Sequence, residues 1–267
     1  MSLLALDFMR RALIAAVLVG LTAPAIGVYL VQRRLALLGD GIGHVTLAGV
    51  AAGFLFGTAP LATALVAAVL AAVAIELLRS RGGASGDVAL AALFYGGIAT
   101  GVLLIGLAPR ASGVNLLAYL FGSVTTVSTG DLWLISGLAV VVLAVLTVAA
   151  RQLFAVTYDE DLARIAGLPV TALNLLVAVT AAFTVALAMR VVGVLLVSAL
   201  MVLPVAAAQQ VARSFRGAIG WSVGIGVTVA IVGLVAAYYL DVAPGATIVL
   251  SALVVFVAGV AVRRLRT

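Results

Sequence analysis

Long apolar runs are the feature that most limits the folds open to this chain. About 20 apolar residues in an α-helix cross the hydrocarbon core of a bilayer. Strands of a transmembrane barrel instead alternate in polarity over segments of about 10 residues. The chain has nine continuous runs with few charged side chains, at residues 11–32, 42–57, 60–79, 88–108, 131–150, 171–189, 191–212, 218–239 and 244–262. The sequence therefore predicts an all-α polytopic bundle of about nine transmembrane helices, within a range of eight to ten.

The charged residues and cysteines exclude several other classes of protein. Only 9% of the 267 residues are charged, whereas soluble domains contain about 25%. All 15 cationic side chains are arginine, so the chain lacks the lysine that a Walker A loop places on phosphates. It also has no cysteine for disulfides or thiolate metal sites. We expect a single transmembrane domain over residues 1–267, with no ATP site of its own and no affinity for nucleic acid.

The arginines lie unevenly on the two sides of the nine predicted spans. Eleven are on one side and four on the other, and the side richer in arginine faces the cytoplasm. The N-terminus is then outside. The larger group is Arg33, Arg34, Arg79, Arg81, Arg151, Arg164, Arg213, Arg216, Arg263, Arg264 and Arg266, and the smaller is Arg10, Arg11, Arg110 and Arg190. A hydroxyl-rich stretch at 115–129 is predicted to be re-entrant or surface-lying; if it spans, the N-terminus is inside.

One pair of ionisable residues lies at the beginning of the second predicted span. Asp40 and His44 are four residues apart, so they project from the same side of a helix. Polar side chains inside a bilayer are costly and usually functional. The pair offers one oxygen and one nitrogen ligand, which suit Zn²⁺ or Mn²⁺. The alternative is a structural role in which Asp40 caps the helix, since Asp is a favoured N-cap residue.

Three glycines at intervals of four follow the pair in the same span. Gly49, Gly53 and Gly57 form a series that allows helix backbones to approach closely in lipid. At 100° per residue they lie about 140° to 220° around the helix from His44. We therefore predict a packing face opposite the Asp40–His44 pair.

The longest polar stretch is the segment 151–170. It contains Asp159, Glu160 and Asp161, which suit the first turn of a short helix, and Gly167, which suits its end. A solvated loop is one interpretation of this segment. Its compact helix-and-stop pattern instead favours a docking element for a cytoplasmic partner.

Three motifs resemble those of a known family, and they occur in that family's order. They lie at residues 33–44 (RRLALLGDGIGH), 192–204 (VGVLLVSALMVLP) and 238–249 (YYLDVAPGATIV). The chain resembles the ABC-3 group of membrane permeases, the importers of zinc, manganese and sometimes iron. It departs from the family pattern at Gly43, where serine is usual, and at Ala48, where proline is usual.

The resemblance implies a type II importer-like permease in the inner or plasma membrane of a bacterium. It implies a homodimer in membrane lipid, two cytoplasmic ATP-binding subunits and an extracytoplasmic metal-binding protein. No cofactor would be bound permanently, and the chain itself would not be an enzyme. Asp40 and His44 would contact the metal in transit, with zinc expected first and manganese or iron as alternatives.

The resemblance also assigns roles to other positions. In the segment 158–169, Ala163 and Gly167 match the spacing of the family's ATPase-contacting loop. Tyr239 and Asp241 match the outer closure of its path. Arg10, Arg11 and Arg190 have two interpretations, as contacts for the delivery protein or as flanks of spans. Two other functions remain alternatives: a stand-alone ion-coupled transporter, and an ABC permease for a chelate such as a siderophore or cobalamin.

Overall fold

All regular elements in the described part of the chain are helices. A computed structural model describes residues 6–80, 86–107, 120–123, 127–189, 191–194 and 196–266. We number eleven helices in chain order: α1 (Asp7–Gln32), α2 (Leu38–Leu55), α3 (Pro60–Ser80), α4 (Gly86–Leu107), α5 (Thr129–Val148), α6 (Ala150–Tyr158), α7 (Glu160–Ile165), α8 (Val170–Ala188), α9 (Val197–Ala208), α10 (Phe215–Leu240) and α11 (Pro244–Arg266).

Eight of these helices are long and apolar enough to cross a membrane. They are α1 to α5, α8, α10 and α11. The predicted transmembrane bundle is therefore confirmed, with a helix number at the lower limit of the expected range. In each of these eight helices the backbone N–H and C=O groups are hydrogen-bonded to one another, as the bilayer interior requires.

The predicted span at 191–212 is not one continuous helix. Only its second part is helical, as the 12-residue α9, and Gly193 before it has a left-handed φ of +89°. The ends of the neighbouring helices nevertheless lie at opposite ends of the bundle. α8 begins beside Arg33, and α10 begins beside Tyr29 and Phe154 at that same end. Because α8 extends about 28 Å from there, the chain from 189 to 214 must return through the bundle. A turn followed by a short helix makes this return.

The arginines of the larger predicted group lie at one end of the bundle, which we call the arginine-rich end. Arg33 and Arg79 both contact Glu160 there. Arg151 and Arg216 line one groove, and Arg263 donates to Gln210 just after α9. Arg81, Arg110 and Arg190 lie outside the described residues. The positive-inside rule places the arginine-rich end in the cytoplasm.

Glycines bring several helices into backbone contact. A Cβ on Gly27 of α1 would lie 1.9 Å from the carbonyl oxygen of Met201, and one on Gly226 of α10 would lie 2.7 Å from that of Gly20. No side chain fits at these distances. Close helix approach at small residues replaces the hydrophobic driving force that lipid does not provide.

At the opposite end, a glycine junction joins three chain segments. Gly122 and Gly193 both have left-handed φ angles, of +76° and +89°. A Cβ on Gly193 would lie 2.3 Å from the Leu120 carbonyl oxygen, and one on Gly245 would lie 1.9 Å from that of Val192. Most of the stretch 115–129, predicted to be re-entrant or surface-lying, is outside the described residues. Its end carries a capping box between Ser128 and Asp131 that begins α5.

Candidate metal path and docking segment

Helix α2 holds the Asp40–His44 pair half-buried within the length of the bundle. The helix is continuous from Leu38 to Leu55, so the two side chains lie one turn apart on one side. A Cβ on Gly97, near the middle of α4, would lie 2.9 Å from the His44 carbonyl carbon. His44 is therefore level with the middle of a membrane-spanning helix. The sequence alone predicted that the pair lies at the beginning of its span.

Asp40 does not cap its helix. The N-cap residue of α2 is Leu37, and no side chain caps the helix. Instead, Ser198 at the start of α9 donates its hydroxyl to Asp40 Oδ1 at 2.7 Å. This bond leaves the second carboxylate oxygen available, and Asp40 lines a groove of about 350 Å³ between α2 and α4. The capping alternative is therefore wrong. Asp40 is instead held in place by Ser198 of α9.

The imidazole of His44 has no hydrogen-bond partner in the described part of the chain. Its Nδ1 atom is buried, and its ring packs edge-to-face on Phe94 with centroids 4.3 Å apart. A buried polar atom without a partner costs free energy, and metal coordination is one way to satisfy a neutral imidazole nitrogen. The packing on Phe94, which lines the groove, limits the movement of the His44 ring.

The described residues of one chain supply only two such ligands. They contain no group of three or more His, Cys, Asp or Glu side chains able to hold a metal ion. Stable structural zinc sites have four ligands. A single chain therefore offers half of such a set, at a groove that Asp40 lines and that opens to its surroundings.

Two of the three predicted packing glycines of α2 face α3. A Cβ on Gly49 would lie 2.6 Å from that of Ala67, and one on Gly53 would lie 2.7 Å from Pro60 Cα. Gly57 differs, because it lies beyond the end of α2 with φ +65° and nothing within 4 Å. Its packing role is wrong: a left-handed glycine after the last turn ends the helix instead. The opposite side of α2, near His44, is also packed, against Gly97 of α4.

The segment 151–170 forms two helices, α6 and α7. Asp159 caps α7 by accepting hydrogen bonds from the backbone of Asp161 and Leu162, both at 2.9 Å. Gly167 follows the last turn with φ +80°. Its N–H donates to the Arg164 carbonyl, and the next N–H donates to the Ala163 carbonyl, which is a Schellman motif. Asp159 and Gly167 thus fix the two ends of a short exposed helix.

Glu160 faces inward and belongs to an ionic cluster. Arg33, after α1, donates to Glu160 and also to Asn174 of α8 at 2.5 Å. Arg79 of α3 lies 3.5 Å from Glu160 and 3.2 Å from Glu76. The Arg33 side chain is only 5% exposed. The cluster therefore attaches α7 to α1, α3 and α8 through a buried Arg33 and a partly exposed Glu160.

The ionic cluster shifts the pKa of both Glu160 and Arg33. Burial of the Glu160 carboxyl raises its pKa, but Arg33, Arg79 and Asn174 outweigh burial and hold the pKa below its usual value. Burial lowers the pKa of the Arg33 guanidinium, and Glu160 opposes that effect. Glu160 is charged at neutral pH because its partners surround it.

The surface of α7 differs from the predicted docking set. Ala163 is buried, so it cannot touch a partner as α7 is now packed, whereas Leu162 is 59% and Ile165 82% exposed. Only Asp161 and Gly167 of the predicted docking residues are well exposed. Leu162 and Ile165 were not predicted as docking residues from the sequence. Their spacing of three in a polar segment indicates one apolar helix face and could have identified them. Exposed apolar side chains of this kind mark interaction sites.

Tyr239 and Asp241 lie at the end opposite the arginine-rich end. Both are exposed at the C-terminal end of α10, and Asp241 has a left-handed φ of +52°. Tyr239 packs on the neighbouring ring of Tyr238. Arg11, at the start of α1, donates to Thr129 at 3.2 Å, and Arg10 lies 3.8 Å from Asp7. These residues share one end of the bundle.

The helical bundle, the half-buried polar pair within it and the exposed cytoplasmic helix define a multi-pass membrane transport subunit. The model of the ABC 3 transport family matches residues 5–263, and the chain belongs to that family. It is a multi-pass protein of a bacterial inner membrane.

Relatives and a solved structure agree with this assignment over almost the whole chain. The "Manganese import system permease protein ScaB" of Streptococcus parasanguinis is 34% identical, over 93% of this chain and 88% of the relative. The "High-affinity zinc uptake system membrane protein ZnuB" of Haemophilus influenzae is 29% identical, over 94% and 96%. The structure of "PsaBC from Streptococcus pneumoniae in complex with Fab" matches with a TM-score of 0.86 and 32% identity, covering 96% of this chain and 92% of that one.

Proposed function

We propose that this chain is the permease subunit of an ATP-binding cassette importer for Mn²⁺ or Zn²⁺. The observation that carries the proposal is the Asp40–His44 pair. Its free carboxylate oxygen and unpartnered imidazole lie at the middle of a transmembrane bundle. Relatives named as manganese and zinc permeases support the same substrate class.

We propose that two copies of the chain complete the path. Each copy offers one oxygen and one nitrogen ligand, and two copies facing each other offer four. The open groove lined by Asp40 supports this arrangement, because it gives one of the two ligands access to the surroundings of the chain. A shared site with two ligands from each copy can release its ion when the copies move apart, which transport requires.

ATP hydrolysis belongs to separate cytoplasmic subunits in this proposal. The chain has no lysine for a Walker A loop, and α7 presents Leu162 and Ile165 at the cytoplasmic end. These two side chains would enter the ATP-binding subunit, while Asp161 and Gly167 lie at the rim. The ionic cluster of Glu160 and Arg33 would pass movement of α7 to α1, which directly precedes α2.

The other end is proposed to face an extracytoplasmic metal-binding protein. Tyr239 and Asp241 are exposed there and available to close the path. Arg10 and Arg11 lie at the same end and suit acidic groups on the delivery protein.

Reconstitution in liposomes tests the function. The chain is purified with the ATP-binding subunit of its transport system, and uptake of Mn²⁺ and Zn²⁺ is measured with and without ATP. We expect uptake of at least one of the two ions to require both the ATP-binding subunit and ATP. Equal uptake by the chain alone would instead assign it to stand-alone transporters and overturn the proposal.

Copurification tests the docking surface separately. Leu162→Asp with Ile165→Asp removes two exposed apolar contacts, each worth about 1.5 kcal/mol when buried. We expect binding of the ATP-binding subunit to weaken more than tenfold with no change in the chain's melting temperature. Val211→Asp is a matched control, because Val211 is an exposed apolar residue at the same end but lies between α9 and α10. Unchanged binding by the double variant would exclude α7 as the docking element.

A further inference from the structure

A second groove lies at the arginine-rich end, between the starts of α6 and α10. Its volume is about 370 Å³, and its lining includes Tyr29, Arg151, Phe154, Phe215 and Arg216. It shares no residue with the groove beside Asp40. Nothing in the proposed metal path uses it.

The groove lies at the level of the lipid headgroups. α5 has 20 residues and is about 30 Å long, which matches the hydrocarbon core of a bilayer. Arg151 comes three residues after its end. The rings of Phe154 and Phe215 lie 4.8 Å apart, so the start of α10 is at the same level. Trp221, 57% exposed and six residues further along α10, is typical of a membrane interface.

The charged groups of the groove have no partners among the described residues. Arg151 and Arg216 are exposed, and neither forms an ion pair or hydrogen bond with any described residue. Tyr29 is 2% exposed, lines the groove, and makes no hydrogen bond through its hydroxyl in the described part of the chain. The Tyr29 hydroxyl is therefore available as a donor at the surface of the groove. Two guanidinium groups and a phenol are a suitable donor set for a phosphate.

We propose that this groove binds the headgroup of an anionic phospholipid from the inner leaflet. Arg151 and Arg216 contact the phosphate, and Tyr29 donates to one of its oxygens. Phe154 and Phe215 provide an apolar wall for the glycerol and the first methylenes of the acyl chains. A lipid would then bridge α5–α6 and α10, the helices on either side of the end of α1. The inner leaflet follows from the arginine distribution, which places this end in the cytoplasm.

Native mass spectrometry of the full-length chain in detergent tests this site. Phosphatidylglycerol and phosphatidylcholine are titrated separately, and bound lipid is counted. We expect the anionic lipid to bind more tightly. Each arginine near an anionic headgroup contributes about fivefold in affinity, so Arg151→Gln with Arg216→Gln should weaken phosphatidylglycerol binding by about 25-fold. Phosphatidylcholine binding should weaken less, because the choline of that lipid neutralises its phosphate.

Two further variants separate recognition from structural damage. Tyr29→Phe keeps the ring and its contact with Phe215 but removes the hydroxyl, so we expect about fivefold weaker phosphatidylglycerol binding. Arg213→Gln removes an exposed charge from the same end without touching the groove and should have no effect.

Three outcomes would overturn the proposal. One is unchanged phosphatidylglycerol binding in the double arginine variant. Another is that inorganic phosphate alone binds the groove as tightly as the lipid, which would assign it to a free anion. The third is displacement of the lipid by the ATP-binding subunit, which would make the groove a protein interface.

Discussion

The polar residues of α2 and those of α7 differ in how completely the folded chain satisfies their hydrogen bonds. In α2, one oxygen of Asp40 is bound by Ser198, and His44 keeps both ring nitrogens without partners among the described residues. In α7, Asp159 caps the helix and Glu160 enters an ionic cluster. Acidic residues with partners inside the chain stabilise its structure, whereas donors without such partners are available to a ligand. The two regions can be distinguished by substitution.

The largest expected effect is on metal uptake when a ligand of α2 is removed. His44→Ala or Asp40→Ala should lower uptake by more than about 100-fold, since loss of even an outer-shell partner costs 10- to 100-fold in metal affinity. The measurement is ATP-dependent uptake of radioactive Mn²⁺ or Zn²⁺ in proteoliposomes. Thr46→Val is the control, because it removes a hydroxyl of α2 that bonds only to the Ile42 carbonyl and keeps both ligands. Normal uptake by His44→Ala would make the pair structural and remove the contrast between α2 and α7.

The next effect is on stability when Glu160 is removed from α7. Glu160→Ala leaves the guanidinium of Arg33 buried without its carboxylate partner. We expect the free energy of unfolding to fall by about 2 kcal/mol, between the values for buried and exposed pairs, as measured by thermal unfolding in detergent. Asp161→Ala, at an exposed neighbouring acid, should change it by less than about 0.5 kcal/mol. Equal effects of the two substitutions would show that the ionic cluster does not fasten α7.

A smaller effect is expected at the hydroxyl that holds Asp40. Ser198→Ala removes the 2.7 Å hydrogen bond to Oδ1 and frees the carboxylate to rotate. We expect about tenfold weaker metal affinity, as for other residues that orient a metal ligand, with little change in maximal ATPase activity. The measurement is the metal concentration for half-maximal uptake. Ser251→Ala serves as control, since that hydroxyl bonds only within α11. An unchanged half-maximal concentration would mean that Asp40 needs no positioning.

The smallest effect is a dependence of stability on pH. The pKa of Glu160 is held below its usual value of 4.5. Its contribution is therefore complete above pH 4.5 and is lost as the pH falls through the lower pKa of the folded state. Melting temperatures measured from pH 6 to pH 3 should fall less steeply for Glu160→Gln than for the original chain. Parallel curves would indicate that Glu160 titrates alike in the folded and unfolded states.

The sequence predicted the elements of this fold well because they depend on local properties. A continuous apolar run forms a helix in lipid wherever it is long enough, and eight such runs are spanning helices. The helix ends at Asp159 and Gly167 followed from capping preferences, which act over a few residues. The prediction of one continuous helix over 191–212 was wrong, because left-handed Gly193 packs against the carbonyl of Leu120. Hydropathy does not report such a contact.

The sequence by itself determined the membrane bundle, the sole acid–imidazole pair inside it and the short helix at its cytoplasmic end. The tertiary structure decided which of those polar residues are free. Ser198 and Asp40 are 158 positions apart, and Arg33 and Glu160 are 127 apart. No spacing rule connects such residues, because their meeting depends on how α1, α2, α7 and α9 pack. Packing likewise turned Ala163 inward and exposed Leu162 and Ile165. It also placed Tyr29 beside two arginines that have no partner in the described part of the chain.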